Sequence, residues 1–120
     1  MTETKKYETL LVEPGPPGVL VVTLNRPEEG NAVDATMHQE LLQFLFDIRD
    51  APDLGAVVLT GQGRIFCGWG SMTLLADVRD GDYRASARSL EQGITLVKDF
   101  LAVRPPVVVA MNGSATGPHR

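Results

Sequence analysis

Three short apolar runs, at residues 19–24, 56–60 and 107–111, constrain the fold more than any other feature of this sequence. Each run is rich in β-branched residues and is followed at once by a polar loop. Runs of this length and composition predict buried β-strands. Because segments with helical spacing of apolar residues separate them, the order predicts an α/β fold with parallel strands.

A hairpin is predicted to open the fold. Tyr7–Val12 and Val19–Leu24 have the composition of strands, and Glu13–Gly18 predicts the turn between them because its prolines and glycines interrupt any regular element. Val19–Leu24 is almost wholly apolar. We therefore expect this strand to be buried on both faces.

Two amphipathic helices are predicted between the strands. The first begins near Asp34 or at Thr36, whose spacing to Gln39 is that of a capping box. It ends before Pro52, and the second helix covers Tyr83–Val103. The side chains expected to face the core are Met37, Leu41, Leu42, Phe44, Leu45 and Ile48 in the first helix, and Leu90, Ile94, Val97, Phe100 and Leu101 in the second.

Composition and charge exclude several classes of function. The 120 residues carry a net charge of −4 and one small basic cluster, Lys5-Lys6, which argues against a nucleic-acid surface. No apolar run approaches the length of a membrane span, and Met1–Lys6 lacks the apolar core of a signal peptide. With one cysteine and no Cys/His cluster of metal-ligand spacing, we expect a cytoplasmic protein without a metal ion.

Three polar, glycine-rich loops follow the strands, at residues 25–31, 61–71 and 112–117. Carboxyl ends of parallel strands meet at one edge of a sheet, where ligands bind, so we expect the loops to cluster there. The glycines of 61–71 predict one of two things. Either the loop is a tight turn without a ligand, or its backbone N–H groups are exposed and stabilise a substrate oxygen that gains negative charge during a reaction. A dinucleotide site is disfavoured, because Phe66 stands where that fingerprint needs its third glycine.

Four segments in order resemble the enoyl-CoA hydratase/isomerase family, also called the crotonase superfamily. Residues 24–33 hold Asn-Arg-Pro and then Asn-Ala-Val, similar to the family's N-R-P…N-A-L, and residues 56–67 are similar to its V-V-L-T-G-x-G-x-x-F-[CS]. Residues 68–72 stand against A-G-x-D-[LM], and residues 106–117 against P-V-I-A-A-V-N-G-x-A-x-G-G-G. The resemblance extends over nearly the whole chain.

This resemblance implies a fold and a substrate class. The fold is a spiral of ββα units, of which 1–120 would form an incomplete part: a single, truncated N-terminal portion of a crotonase-like domain whose C-terminal part is absent. The substrate implied is an acyl-CoA thioester, with coenzyme A as part of the substrate and no separate cofactor. Family members hold the thioester carbonyl in an oxyanion hole of two backbone N–H groups, which stabilises a developing enolate.

Carried over by position, the resemblance implies that Gly70, the x of G-x-D, supplies the first oxyanion N–H, or Trp69 if the register slips by one residue. Trp69 occupies the family's glycine, and Ser71 replaces its aspartate. Arg26 is either a phosphate contact or a solvated loop charge. The substrate-binding residues implied are Arg26, Asn31, Ala32, Val33, Gly68, Trp69, Gly70, Ser71, Met72 and Gly117.

The same register puts Pro118 where the family's second oxyanion donor lies, and proline has no N–H. The two glutamates that serve hydratases as general acid and base would follow Arg120. We therefore expect the 120 residues to be inactive alone and do not expect the family's homotrimer. The alternatives are a non-catalytic module that binds an acyl-CoA or a partner subunit, and a truncated product without stable function. The choice among hydratase, isomerase, dehalogenase and hydrolase stays open.

Two reactive side chains have plainer interpretations. Cys67 has apolar flanks, which favours a buried small residue over a nucleophile. His38 is expected at the surface of the first helix.

Overall fold

A computed structural model describes residues 6–67, 81 and 83–115 of the chain. The elements within these residues are β1 (Leu10–Pro14), β2 (Val19–Leu24), α1 (Ala35–Ile48), β3 (Ala56–Gly61), β4 (Ile65–Cys67), α2 (Tyr83–Ala102), β5 (Val107–Val109) and β6 (Ser114–Ala115). A short 3-10 helix, Pro27–Glu29, lies between β2 and α1.

The described strands form two sheets. In the larger sheet the order is β1-β2-β3-β5, with β1 antiparallel to β2 and with β3 and β5 parallel to β2. In the smaller sheet β4 pairs parallel with β6. The predicted α/β class, the hairpin and the parallel strands are therefore confirmed.

The start of the hairpin differs from the prediction. β1 begins at Leu10 rather than Tyr7 and continues through Pro14, which pairs with Leu20 at the end of the strand. A proline is tolerated there because β1 lies at the edge of the sheet. Strand β2 is buried on both faces over Val22–Leu24, as expected, whereas Val19 and Val21 are only half-buried.

Helix α1 covers one face of the larger sheet. It begins after Asp34, whose side chain accepts a hydrogen bond from the Met37 backbone N–H at 2.8 Å. The predicted start near Asp34 is confirmed, and the capping box at Thr36 is wrong because Thr36 lies within the first turn. The core consists of Leu10, Leu20, Val22, Leu24, Met37, Leu41, Phe44, Leu45, Ile48, Leu54, Val57 and Leu59.

The Glu40 carboxylate fastens α1 to the segment that leads into β1. It accepts hydrogen bonds from the backbone N–H groups of Glu8 and Thr9, at 2.7 and 2.8 Å, and from the Thr9 hydroxyl. Bonds to an ionised acceptor are roughly twice as strong as neutral ones. The hairpin is thereby held on the helix that forms the core.

Helix α2 matches its predicted span but not its predicted inward face. It begins at Tyr83 and ends one residue before Val103. Among the described side chains of this segment, Leu96, Phe100 and, just past the helix, Val103 contact the core. Of the residues predicted to face inward, Phe100 is half-buried, as expected, whereas Ile94, Val97 and Leu101 are exposed. The side chain of Leu90 lies outside the described part of the structure.

Three further expectations were wrong. The last strand is shorter than predicted, and two of its three residues, Val108 and Val109, are exposed where β5 ends the order of the described strands. Residues Ile65–Cys67, expected as loop, form β4. His38 is buried rather than exposed, because it faces the groove where α2 packs across α1.

Candidate functional site

The side chain of Asn31 joins the loop after β2 to the loop after β3. Its amide donates to the carbonyl oxygens of Gln62 and Ile65, at 2.9 and 2.8 Å. Its Oδ1 accepts from the Arg26 backbone N–H at 2.7 Å. Asn31 has no exposed surface, so water does not compete for these three bonds.

The backbone at Asn31 is left-handed, with a φ of 54°. Asparagine adopts this conformation more readily than most residues with a Cβ. The preceding Gly30 also has a positive φ, 61°, and closes the short 3-10 helix by donating to the Pro27 carbonyl at 3.1 Å. These two residues turn the chain so that the Asn31 amide faces the loop after β3.

Asn112 contacts the same loop from the segment after β5. Its Oδ1 accepts from the Gly61 backbone N–H at 3.1 Å, and its Nδ2 donates to the Gly63 carbonyl at 2.7 Å. The two side chains, called here the asparagine clamp, together bind one N–H and three carbonyls of residues 61–65. The prediction that the three loops meet at one edge of the sheet is confirmed for their described residues.

Two glycines allow the main chains at this edge to approach closely. A Cβ added to Gly113 would lie 1.9 Å from the Arg64 carbonyl oxygen. A Cβ added to Gly61 would lie 2.5 Å from the Phe66 carbonyl oxygen. Only glycine fits at such distances, so these positions let β4 pack beside the segment after β5.

Arg26 is occupied by contacts within its own loop. Its Nη1 donates to the Ala32 carbonyl, and its Nε lies 3.7 Å from the Asp34 carboxylate. Since its side chain is only 18% exposed, it is not a solvated loop charge. These contacts hold the segment that contains Ala32 and Val33. The Val33 side chain packs against the core. Contact of these residues with a substrate stays a prediction.

A sequence model of the enoyl-CoA hydratase/isomerase family matches residues 15–118. The chain belongs to this family. It is 33% identical over 111 residues to a probable enoyl-CoA hydratase, echA8, of Mycobacterium tuberculosis, a match that covers 92% of this chain and 41% of the relative. It is also 33% identical over 100 residues to a probable 3-hydroxyisobutyryl-CoA hydrolase of Arabidopsis thaliana, covering 82% of this chain and 26% of that protein.

Solved structures of the family share the fold. AtuE of Pseudomonas aeruginosa superposes with a TM-score of 0.77 at 34% identity, over 85% of this chain and 39% of AtuE. The fold described above is therefore an incomplete part of the crotonase fold. The chain spans about 41% of the length of the hydratase relative that it matches. The names of the relatives include a hydratase and a hydrolase, so family membership alone does not fix the reaction.

The family motif that carries the predicted donor loop follows β4 directly. Cys67 ends β4, and the next residues, 68–72, lie outside the described part of the chain, as does Gly117. The roles predicted for Gly68, Trp69, Gly70, Ser71, Met72 and Gly117 therefore stay predictions. The structure describes the anchor from which that loop begins: a strand beside a turn that the asparagine clamp holds.

The thiol of Cys67 is a poor nucleophile in this setting. Cys67 is half-buried and packs against the core. Burial raises the pKa of the thiol, because it disfavours the charged thiolate. A raised pKa leaves less thiolate at neutral pH, which supports the interpretation of Cys67 as a packing residue.

Alkylation rates test this assignment of Cys67. We expect iodoacetamide to react more slowly at pH 7 with the folded chain than with the chain unfolded in urea, which supplies the reference for the same thiol. Because burial raises the folded pKa above the unfolded one, we expect this thiol to leave the free energy of unfolding unchanged below the unfolded pKa and to lower it as the pH rises through the folded pKa. A folded chain that reacts as fast as the unfolded one at pH 7 would show an accessible, activated thiol instead.

Within the described residues, two kinds of feature are not found. Of the helices there, neither has the length and hydropathy that crossing a membrane requires. No group of three or more His, Cys, Asp or Glu side chains in the same residues is placed to hold a metal ion.

The asparagine clamp itself was not predicted from the sequence. The resemblance assigned Asn31 to substrate binding through its backbone and gave Asn112 no role beyond its motif. The Gly30-Asn31 dipeptide was the available signal, because glycine and asparagine together mark turns with left-handed backbone. Nothing in the local sequence indicates that the amide of this turn reaches a loop far along the chain.

Proposed function

We propose that this chain carries the acyl-CoA thioester-binding segment of an enoyl-CoA hydratase/isomerase family protein, with the backbone N–H of Gly70 as one oxyanion donor. The asparagine clamp supports the proposal. It fixes residues 61–65, and β4 then ends at Cys67, three residues before Gly70. A backbone N–H that closely follows a rigidly held segment needs little reorganisation when charge develops on the substrate oxygen.

The chemistry proposed is stabilisation of a thioester carbonyl oxygen as it becomes an enolate oxygen. Removing one donor from an oxyanion hole typically lowers the rate about 100- to 1,000-fold. Pro118 stands where the family's second donor is expected and has no N–H to offer. We therefore propose that these 120 residues bind a thioester without hydrating it.

Substitution of Gly70 tests the donor. Gly70→Pro removes the N–H, whereas Gly70→Ala retains it and serves as the matched control. In calorimetric titrations with crotonyl-CoA, we expect the original chain and Gly70→Ala to bind, and Gly70→Pro to bind about tenfold more weakly, the loss of one hydrogen bond. Free coenzyme A, which lacks the acyl carbonyl, should not distinguish the variants.

Three results would count against the proposal. One is a folded chain that binds no thioester. Another is an equal loss of affinity in Gly70→Pro and Gly70→Ala, which would assign the effect to the loop's shape rather than to its N–H group. The third is hydration of crotonyl-CoA above the buffer rate, which would overturn the expectation of binding without turnover.

A further inference from the structure

The carboxylate of Asp34 makes a different contact with each of its two oxygens. Its Oδ1 accepts the hydrogen bond from the Met37 backbone N–H that caps α1, at 2.8 Å. Its Oδ2 lies 3.7 Å from the Nε of Arg26. A cap needs one side-chain oxygen, and serine caps a helix about as well as aspartate does. The second oxygen of Asp34 is therefore not needed for the cap, and its contact is with Arg26.

Arg26 is bound at three points to Asn31 and Ala32. Its backbone N–H donates to Asn31 Oδ1 at 2.7 Å, and its carbonyl accepts from the Asn31 backbone N–H at 2.8 Å. Its Nη1 donates to the Ala32 carbonyl. Because a guanidinium is planar and rigid, holding Nε also fixes the direction of Nη1. The contact of Asp34 with Nε therefore orients Nη1 towards the Ala32 carbonyl.

Partial burial makes the pair of Arg26 and Asp34 effective in holding a conformation. Their side chains are 18% and 31% exposed. Fully exposed ion pairs contribute little, because water and salt screen them. Here most of each side chain is covered, and the guanidinium also donates to a carbonyl, a charge-assisted bond that is stronger than a neutral one. The pair is therefore strong enough to orient the Arg26 side chain.

The segment held in this way, residues 31–33, is predicted to bind the substrate. Ala32 also donates its backbone N–H to the Glu29 carbonyl at 3.1 Å, so both of its backbone groups are bonded within the loop. The side chain of Val33 packs against the core. The shape of the segment therefore depends on the orientation of Arg26.

We propose that Asp34 is a positioning residue for thioester binding and acts through Arg26. It keeps the guanidinium on the Ala32 carbonyl, and this contact keeps residues 31–33 in the shape that binds the thioester. The part bound there is coenzyme A, because the acyl carbonyl is assigned to Gly70. Arg26 is then held within the loop rather than by a phosphate group of coenzyme A. The inference rests on the proposed function, because it requires that the chain bind a thioester.

The substitution Asp34→Ser tests the inference, because serine keeps a capping oxygen and removes the one that faces Arg26. In calorimetric titrations we expect this variant to bind free coenzyme A and crotonyl-CoA more weakly than the original chain, by the same factor of about five. Gly70→Pro, by contrast, is expected to weaken the binding of crotonyl-CoA alone. Asp50→Ser is the matched control, because Asp50 is exposed and lies just past the C-terminal end of α1.

The direction of the change separates this role from a general effect of charge. Coenzyme A carries anionic phosphate groups, so the removal of a carboxylate from the chain should by itself strengthen its binding. We expect this small gain in affinity, or no change, in Asp50→Ser. A loss of affinity in Asp34→Ser runs against the charge effect and reports on the shape of the loop.

A double-mutant cycle shows whether Asp34 acts through Arg26. In a chain that carries Arg26→Met the guanidinium is gone, and Asp34→Ser has no contact left to release. We therefore expect Asp34→Ser to change the affinity for coenzyme A by less than about twofold in that chain, because the two effects are not additive. Urea denaturation followed by circular dichroism checks that each variant is folded under the conditions of the titrations.

The inference is wrong, and the proposed function stands, in any of three cases. One is an unchanged affinity for coenzyme A in a folded Asp34→Ser chain. Another is tighter binding by Asp34→Ser than by Asp50→Ser, which would show that Asp34 holds Arg26 away from a phosphate group. The third is an equal loss with and without Arg26→Met, which would mean that Asp34 acts independently of Arg26. A folded original chain that binds neither ligand would overturn both the proposed function and the inference.

Discussion

Replacing Asn31 with alanine is expected to lower the free energy of unfolding by about 4 kcal/mol. The substitution removes three buried hydrogen bonds, each worth about 1 kcal/mol net, and leaves the carbonyls of Gln62 and Ile65 without this partner. It also puts an alanine at a φ of 54°, which costs roughly 1 kcal/mol more. A small domain has about 5–15 kcal/mol in total, so urea denaturation followed by circular dichroism should show a large loss.

Two other substitutions at Asn31 separate the hydrogen bonds from the backbone. Asn31→Gly removes the same bonds but relieves the positive φ, so we expect it to be about 1 kcal/mol less destabilising than alanine. Asn31→Asp keeps the acceptor for Arg26 but turns a carboxylate oxygen towards two carbonyls, and we expect at least the loss seen with alanine. An alanine variant within 1 kcal/mol of the original chain would mean that the clamp contributes little.

The class of fold was predictable because buried parallel strands have a recognisable local sequence pattern. Residues such as Val19–Leu24 must be apolar when neighbouring strands and helices cover them, and the loops between such strands must be polar. The order of these segments then determines that the loops after β2, β3 and β5 meet at one edge. Asp34 was a sound candidate for the helix start because a short side-chain acceptor satisfies the first N–H groups.

The burial of α2 and β5 was not predictable from the same signals. Periodicity shows that Ile94, Val97 and Leu101 share a face, but it does not show which neighbour covers that face. In the structure Leu96, Phe100 and Val103 take the core contacts instead. Tertiary packing decides which of the two apolar stripes of α2 is buried. Strand β5 is likewise apolar in sequence, yet Val108 and Val109 are exposed.

In the candidate site, too, the features that depend on local sequence were predicted and the contacts between distant residues were not. The resemblance located the loops, because their motifs are local. It did not locate the side-chain bonds of Asn31 and Asn112, because each joins residues far apart in the chain. Strand β4 escaped prediction for the same reason: its three residues pair with β6, which follows α2 and β5.

Replacing Gly113 with alanine is expected to destabilise the fold by an amount comparable to the loss of the Asn31 side chain. The new Cβ would lie 1.9 Å from the Arg64 carbonyl oxygen and 2.9 Å from its carbon. Both are backbone atoms, so no side-chain rotation relieves the overlap, and the segment after β5 must move away from β4. We expect a loss of at least about 3 kcal/mol, the upper end of overpacking costs, with faster amide exchange at Ile65–Cys67.

Gly55→Ala is the matched control for this substitution. A Cβ on Gly55 would meet the Gly18 carbonyl oxygen at 3.4 Å, an ordinary contact distance, and Gly55 is exposed. We expect its stability to stay within about 0.5 kcal/mol of the original chain. If Gly113→Ala were as stable as Gly55→Ala, the close approach of β4 to the segment after β5 would be wrong. The segment before the Gly70 loop would then lose its hydrogen bonds to Asn112, because Asn112 immediately precedes Gly113.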